Sequence, residues 1–152
     1  MAFHRWEYHN GRPNLLAKIQ NRGWALLHAL GLYPGRFVTL EVAGRVSGKT
    51  VRFPLAMVTL EGVRYLVSML GVQANWVRNV QAAGGRAELV HGKRERVRLV
   101  EVDAGLRAQI LKAYLQIAPG ARPHIPVDKD APLEDFEKVA ADFPVFRLER
   151  AE

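Results

Sequence analysis

Two dipeptides constrain the fold more than any other feature of the sequence: Glu61-Gly62 and His91-Gly92, each a glycine turn set between two runs of β-forming residues. Thr50 to Leu60 and Val63 to Met69 flank the first, and Ala87 to Val90 and Lys93 to Val102 flank the second. Such runs joined by a short glycine turn form β-hairpins, because glycine reaches the positive φ a tight turn demands. A hairpin pairs its arms antiparallel. The pattern therefore favours an α+β antiparallel sheet or small barrel over a doubly wound fold. Arg36 to Val42 adds a strand behind the turn signal Tyr33-Pro34-Gly35, and Phe143 to Glu149 adds another near the C-terminus. In the second hairpin Arg94, Arg96 and Arg98 alternate with Glu95, Val97 and Leu99, a period of two that gives one charged face.

Helical signals lie outside these strands. Arg12 to Leu32 carries Leu15, Leu16, Ile19, Leu26, Leu27 and Leu30 among Lys18, Arg22 and His28. Such a stripe packs on a core or lies on a membrane surface. Asn75 to Ala83 predicts one or two turns, with Asn75 as cap and Gly84-Gly85 as stop. Asp103 is read as the cap of a helix reaching Ile117, with Leu106, Ile110, Leu111, Tyr114 and Leu115 on its apolar side. Pro132 opens a last helix over Leu133 to Asp142. The division expected is an N-terminal helical segment, 1–35, and a single cofactor-binding barrel domain, 36–152.

The first residues are too polar for a secretory signal, and no run reaches the roughly 18 apolar residues of a spanning helix. A cytoplasmic protein is expected, with peripheral membrane contact through the N-terminal helix as its one membrane option. The 152 residues contain no cysteine, so disulfides, thiolate metal sites and cysteine nucleophiles are excluded. Any redox activity must belong to a bound cofactor. Lys and Arg number 22 against 15 Asp and Glu, a formal charge of +7, which points to an anionic partner.

The loop Ala43-Gly44-Arg45-Val46-Ser47-Gly48-Lys49-Thr50 imitates a P-loop without being one. Ala43 stands where that motif needs its first glycine, and Val51-Arg52-Phe53-Pro54 continues as strand, with proline where a helix should propagate. Its glycines, its Ser47 and Thr50 hydroxyls and the charges of Arg45, Lys49 and Arg52 nevertheless suit a phosphate or carboxylate cradle between strands. A solvated hairpin loop has the same composition. Further on, Ser68 ends a strand and Trp76 and Asn79 share a helix face. That grouping is either core or a seat for a planar heterocycle. His4, His9, His28, His91 and His124 show no metal-ligand spacing, so no metal is expected.

Together, Gly44-Arg45-x-Ser47-Gly48-x-x-Arg52-x-Pro54-Leu55, then Ser68, Trp76-x-x-Asn79-x-x-Ala82 and the closing Pro144-Val145-Phe146-Arg147-Leu148 resemble the deazaflavin (coenzyme F420)-dependent nitroreductase and quinone reductase family over roughly residues 36–149. The resemblance implies an α+β antiparallel split β-barrel of the FMN-binding type, with packed helices. It implies that Arg45, Ser47, Gly48 and Arg52 hold the phosphate and acidic tail of F420, that Pro54 and Leu55 lie beside the ring, and that Ser68, Trp76 and Asn79 line the deazaflavin or phosphate side. Lys49 joins the set from its charge alone. Val46, Met69-Leu70-Gly71 and His124 depart from the family's commoner residues, and His124 takes the place of a substrate-facing tyrosine as substrate contact or proton donor.

The activity implied is hydride transfer from F420H2 to a quinone, a nitroaromatic or an activated enone. The alternative keeps the barrel as a non-catalytic binding protein for FMN, haem or a lipid. Nucleic acid is not expected, because no aromatic residues interleave with the Arg94, Arg96 and Arg98 stripe.

Overall fold

The computed structural model describes residues 35–151, in which six strands close into an antiparallel barrel. They are β1 (Gly35–Ala43), β2 (Thr50–Leu60), β3 (Val63–Val67), β4 (Arg86–Val90), β5 (Arg94–Glu101) and β6 (Val145–Arg150). Their spatial order is β1-β2-β3-β6-β5-β4, closed by pairing of β4 with β1. Three helices complete the described part: α1 (Asn75–Ala82), α2 (Ala108–Ile117) and α3 (Leu133–Val139). The amphipathic stripe over 12–32 lies outside the described residues. No helix among those residues is long and apolar enough to cross a membrane.

Both glycine turns do what the sequence demands. Glu61 and Gly62 each adopt positive φ, 51° and 80°, and Leu60 pairs with Val63. Successive positive φ values match the right-handed twist of the two arms. At the second turn the pairing starts at Val90 with Arg94, so Lys93 belongs to the loop, its carbonyl accepting from the His91 amide at 3.0 Å.

Strand alternation divides the apolar residues between two cores. Val38, Leu40, Val42, Leu89, Val97 and Leu99 fill the barrel, and α1 plugs its end with Trp76, Val77 and Val80. The Trp76 ring lies tilted on Phe146, centroids 5.5 Å apart. On the outer wall, Ala56, Val58, Val67 and Val145 pack against Leu111 and Leu115 of α2 and Phe136 of α3. Full burial of such side chains contributes about 1.5–3 kcal/mol each.

Two helix starts differ from expectation. Asn75 is the first helical residue rather than the cap; Ala74 takes the cap position and offers no side-chain bond. Asp103 also makes no capping bond. A single 3-10 turn (Ala104–Leu106) precedes α2, leaving Leu106 exposed. The cause is Arg107, whose buried guanidinium donates to the carbonyls of Val102 at 2.8 Å and Ala140 at 2.9 Å and to Glu101 at 3.0 Å. These bonds tie the end of β5, the start of α2 and the turn before β6 together.

The barrel end opposite α1 is closed by charge. Glu95, the second residue of β5, lies on its inward side and is buried. Arg64 of β3 grips it with two bonds of 2.8 Å; His91 lies at 3.2 Å and Arg150 at 3.3 Å. The Arg64 bonds above all, helped by His91 and Arg150, hold the Glu95 carboxyl far below the usual carboxylate range.

Candidate functional site

The outer face of the β1–β2 ladder carries an apolar pocket and a basic groove on neighbouring rungs. The register pairs Phe37 with Ala56, Thr39 with Pro54 and Glu41 with Arg52. Residues two apart on a strand share a face about 6.7 Å apart. The first of these rungs therefore opens on the pocket and the third on the groove.

The pocket has a volume of about 320 Å³, at the lower end of the roughly 300–1,000 Å³ usual for small-molecule sites. Pro54 and Ala56 line it from the outer face of β2, while Phe53 and Leu55, which pack with the barrel interior, border it from the other face of the strand; Trp76 closes one side, and Tyr114, Ala118 and Ala121 line it from α2 and the turn after it. The proline sits at an exposed position of β2 that pairs with Thr39 on one side only, within the limit proline sets in sheets. Burial pushes the Tyr114 hydroxyl up to about 12, so it stays protonated near neutrality.

The groove, about 490 Å³ and open to solvent, is lined by Arg52, Arg86, Arg94 and Arg96 against Glu41 and Glu88. Glu41 is buried at its floor and accepts from Arg94 and, at 2.8 Å, from the Arg52 Nε. Those contacts, Arg94 first, lower its carboxyl pKa. Arg94 also reaches Glu88 at 2.8 Å. Among the described residues the side chains of Arg86 and Arg96 have no hydrogen-bond partner. The Arg94 and Arg96 stripe, which the sequence leaves apart from Arg52, thus joins it in one groove, because β1 pairs with both β2 and β4.

The 44–49 loop is used differently from a bare cradle. The Arg45 guanidinium donates to Asn79 Oδ1 at 2.7 Å and its amide to the same oxygen at 3.1 Å, with a longer bond to Asn75. The Gly44 amide donates to the Lys49 carbonyl, the Gly48 amide to the Gly44 carbonyl, and the Lys49 amide to Ser47 Oγ. Four backbone N–H donors of the loop are therefore spent inside the protein, and Asn79 is buried as the loop's anchor. The Lys49 side chain remains exposed.

Of the residues singled out from sequence, Pro54, Leu55 and Trp76 meet in the pocket, and Arg52 lines the groove. Ser68 does not face the pocket: it is fully buried, and its hydroxyl donates to the Gly71 carbonyl at 2.7 Å, locking the loop after β3. His124 is exposed and outside the pocket lining, where Gly120 and Ala121 of the same turn stand instead. Phe37 of β1, Val67 of β3, Met69 and Leu70 of the loop after it and Tyr114 of α2 complete the lining, which no local motif announces. Among the described residues no three His, Asp or Glu side chains are grouped to hold a metal ion.

No protein-family model matches the chain, and no curated protein matches it in sequence. Solved structures do match. A structure described as an F420-H2 dependent reductase (FDR-A) is 20% identical, covers 76% of this chain and 94% of its own, and gives a TM-score of 0.51. An FAD-binding protein from Mesorhizobium loti is 17% identical over 77% of this chain and 82% of its own, with a TM-score of 0.50. A protein of unknown function from Agrobacterium tumefaciens is 13% identical and reaches 0.54; the match covers 78% of this chain and about half (49%) of that one. At these identities the likeness establishes the architecture: the described chain is an α+β split β-barrel, closed from six antiparallel strands, of the kind these structures share.

Proposed function

We propose that the protein is an oxidoreductase that binds a flavin-type coenzyme, F420 in preference to FMN, and passes a hydride to a quinone, nitroaromatic or activated enone acceptor. One observation carries the reading: an apolar pocket and an arginine groove occupy neighbouring rungs of one ladder. A coenzyme with a planar ring at one end and a phosphate and carboxylates at the other needs that pairing. The sequence resemblance and the fold likeness to an F420-H2 dependent reductase point the same way.

The residues present fit such a group. Pro54 and Ala56, bordered by Phe53 and Leu55, offer an apolar lining, Trp76 and Tyr114 offer the adjoining aromatic surfaces, and Arg52 with Arg86, Arg94 and Arg96 offers charge-assisted donors. The reduced coenzyme, when bound, supplies the hydride. The chain's task is to hold the ring against β2, keep water from it with apolar side chains, and donate hydrogen bonds where negative charge develops. The lining contains no carboxylate, imidazole or amine side chain. Solvent or a lining hydroxyl must therefore bring the proton that accompanies the hydride.

A second reading has its own support. Arg45 and Ser47, tail-holding residues by the resemblance, are engaged within the protein, which favours a binding protein for FMN or another apolar-headed ligand. Side-by-side titration with oxidised F420 and FMN separates the two, followed by oxidation of F420H2 with menadione as acceptor. Tighter binding of F420 and menadione-dependent loss of F420H2 support the reductase. Preference for FMN without turnover supports the binding protein and removes the proposal.

A further inference from the structure

The apolar pocket holds one side-chain hydroxyl, on Tyr114, and nothing in the barrel accounts for it. Tyr114 is on the fifth of the six residues from Ile110 to Leu115 in α2, packed in the outer core with only 5% of its surface exposed. A buried phenol normally finds a hydrogen-bond partner. This one bonds to no described residue, yet its oxygen is not sealed away, since the one fully enclosed unpartnered side-chain atom among the described residues is Gln109 Nε2. Tyr114 lines the cavity, and its hydroxyl is the one polar group that its side chain can present there. Apart from the indole of Trp76, every other lining side chain is aliphatic, aromatic hydrocarbon or thioether.

We propose that Tyr114 donates a hydrogen bond to a ring carbonyl oxygen entering this pocket, and so selects conjugated carbonyl compounds over hydrocarbons of the same shape. The proposal rests on the pocket taking a planar ring, as argued above. The carbonyl belongs either to the coenzyme's own ring or to the electron acceptor. The protonated state of the phenol near neutrality makes it a donor, and the absence of carboxylates, imidazoles and amines from the lining leaves it without competition there. A carbonyl arriving opposite an empty donor gains a bond without breaking one in the protein. A hydrocarbon instead leaves the hydroxyl without a partner, and that unpaired group is the source of discrimination.

The test uses the whole chain and its Tyr114→Phe variant, which removes one oxygen and no packing surface. Equilibrium dialysis compares menadione with 2-methylnaphthalene, which lacks the two carbonyl oxygens, and a separate titration measures oxidised F420. The wild-type protein is expected to prefer menadione, and the variant to lose roughly threefold to tenfold of that preference, the range of one neutral hydrogen bond. If the menadione preference falls and F420 affinity holds, the carbonyl is the acceptor's; if F420 affinity falls by that factor, it is the coenzyme's. Unchanged values for both ligands overturn the proposal, and so does wild-type protein that binds neither menadione nor F420. Failure of F420 alone, with the menadione preference still lost in the variant, strikes the coenzyme reading and leaves Tyr114 in its role. Because the hydroxyl bonds to no described residue, the urea midpoint of the variant is expected to match that of the parent; a shared loss of both would assign Tyr114 to packing and overturn the proposal.

Discussion

Arg45 and Asn79 stand 34 residues apart, and one side-chain oxygen of Asn79 accepts from both the guanidinium of Arg45, at 2.7 Å, and its backbone amide, at 3.1 Å. The pair fastens the β1–β2 loop to the helix that plugs the barrel. Asn79→Ala leaves two donors without their acceptor, so a loss of about 1–3 kcal/mol is expected, read from urea midpoints at unchanged slope. Amide exchange should speed up over residues 44–49 first. A midpoint shift below the measurement error would show that the loop does not depend on this anchor.

Arg52 tests the groove. Its Nε bonds Glu41, which Arg94 also holds, so Arg52→Ala leaves the Glu41 carboxylate with a cationic partner. Stability should change little, since the Arg52 side chain is two-thirds exposed (66%). Coenzyme binding should weaken by about 1.5–3 kcal/mol, the loss of one charge-assisted contact. Titration with F420 decides it: equal affinity in variant and parent removes Arg52 from the site.

Much of this architecture is legible in the chain. Glycine turns and alternating residues mark both hairpins, and the motifs around Arg52, Pro54 and Trp76 mark parts of the candidate site. What is not legible depends on closure. Arg94 and Arg96 join Arg52 only because β1 lies between β2 and β4, a pairing across about fifty residues that no local pattern encodes. The same holds for Arg64 and Glu95, which lie on separate strands and meet only in the closed barrel. Asp103 fails as a cap for a different reason: the interactions of Arg107 decide where α2 begins.

The Glu95 cluster gives the barrel a pH dependence of known sign. Its carboxyl titrates lower in the folded protein than in the unfolded chain, where a glutamate has a pKa of about 4.3. The resulting stability is fully present above that value and is lost as pH falls toward the folded pKa. Glu95→Gln cannot titrate. The variant should be less stable at pH 7 by about 3 kcal/mol, because Arg64 loses its partner in a mostly buried setting. It should also lose less than the parent between pH 5 and pH 3. Parallel stability curves from urea unfolding across that range would refute the assignment.

Gly85 tests the junction between α1 and the barrel. It has φ +88°, and a Cβ built there would lie 2.5 Å from the Leu99 carbonyl oxygen, a backbone atom that cannot swing aside. The Leu99 amide meanwhile donates to the Gly85 carbonyl at 2.7 Å, so the strands cannot part without losing that bond. Gly85→Ala should therefore cost more than the roughly 1–3 kcal/mol of an unfavourable backbone conformation alone. A variant unfolding at the parent's urea midpoint would mean that β4 and β5 separate here at no cost.

Ala118 offers a test of the pocket that leaves the groove intact. It is buried at the end of α2 and faces the β2 wall across the cavity, with φ −127°, a conformation open to any L-residue. Ala118→Phe directs a ring into a space of about 320 Å³ without touching any of the four groove arginines. If the planar end of the ligand occupies that space, affinity for F420 should fall by more than tenfold, or about 1.4 kcal/mol. Binding of a small polyanion such as pyrophosphate, which needs only the arginines, should be unaffected. The combination matters more than either half. Loss of both would mean that the added ring has distorted β2, which circular dichroism and the urea midpoint would reveal. Retention of both would mean that F420 is held by its charged tail alone, with its ring lying outside the pocket.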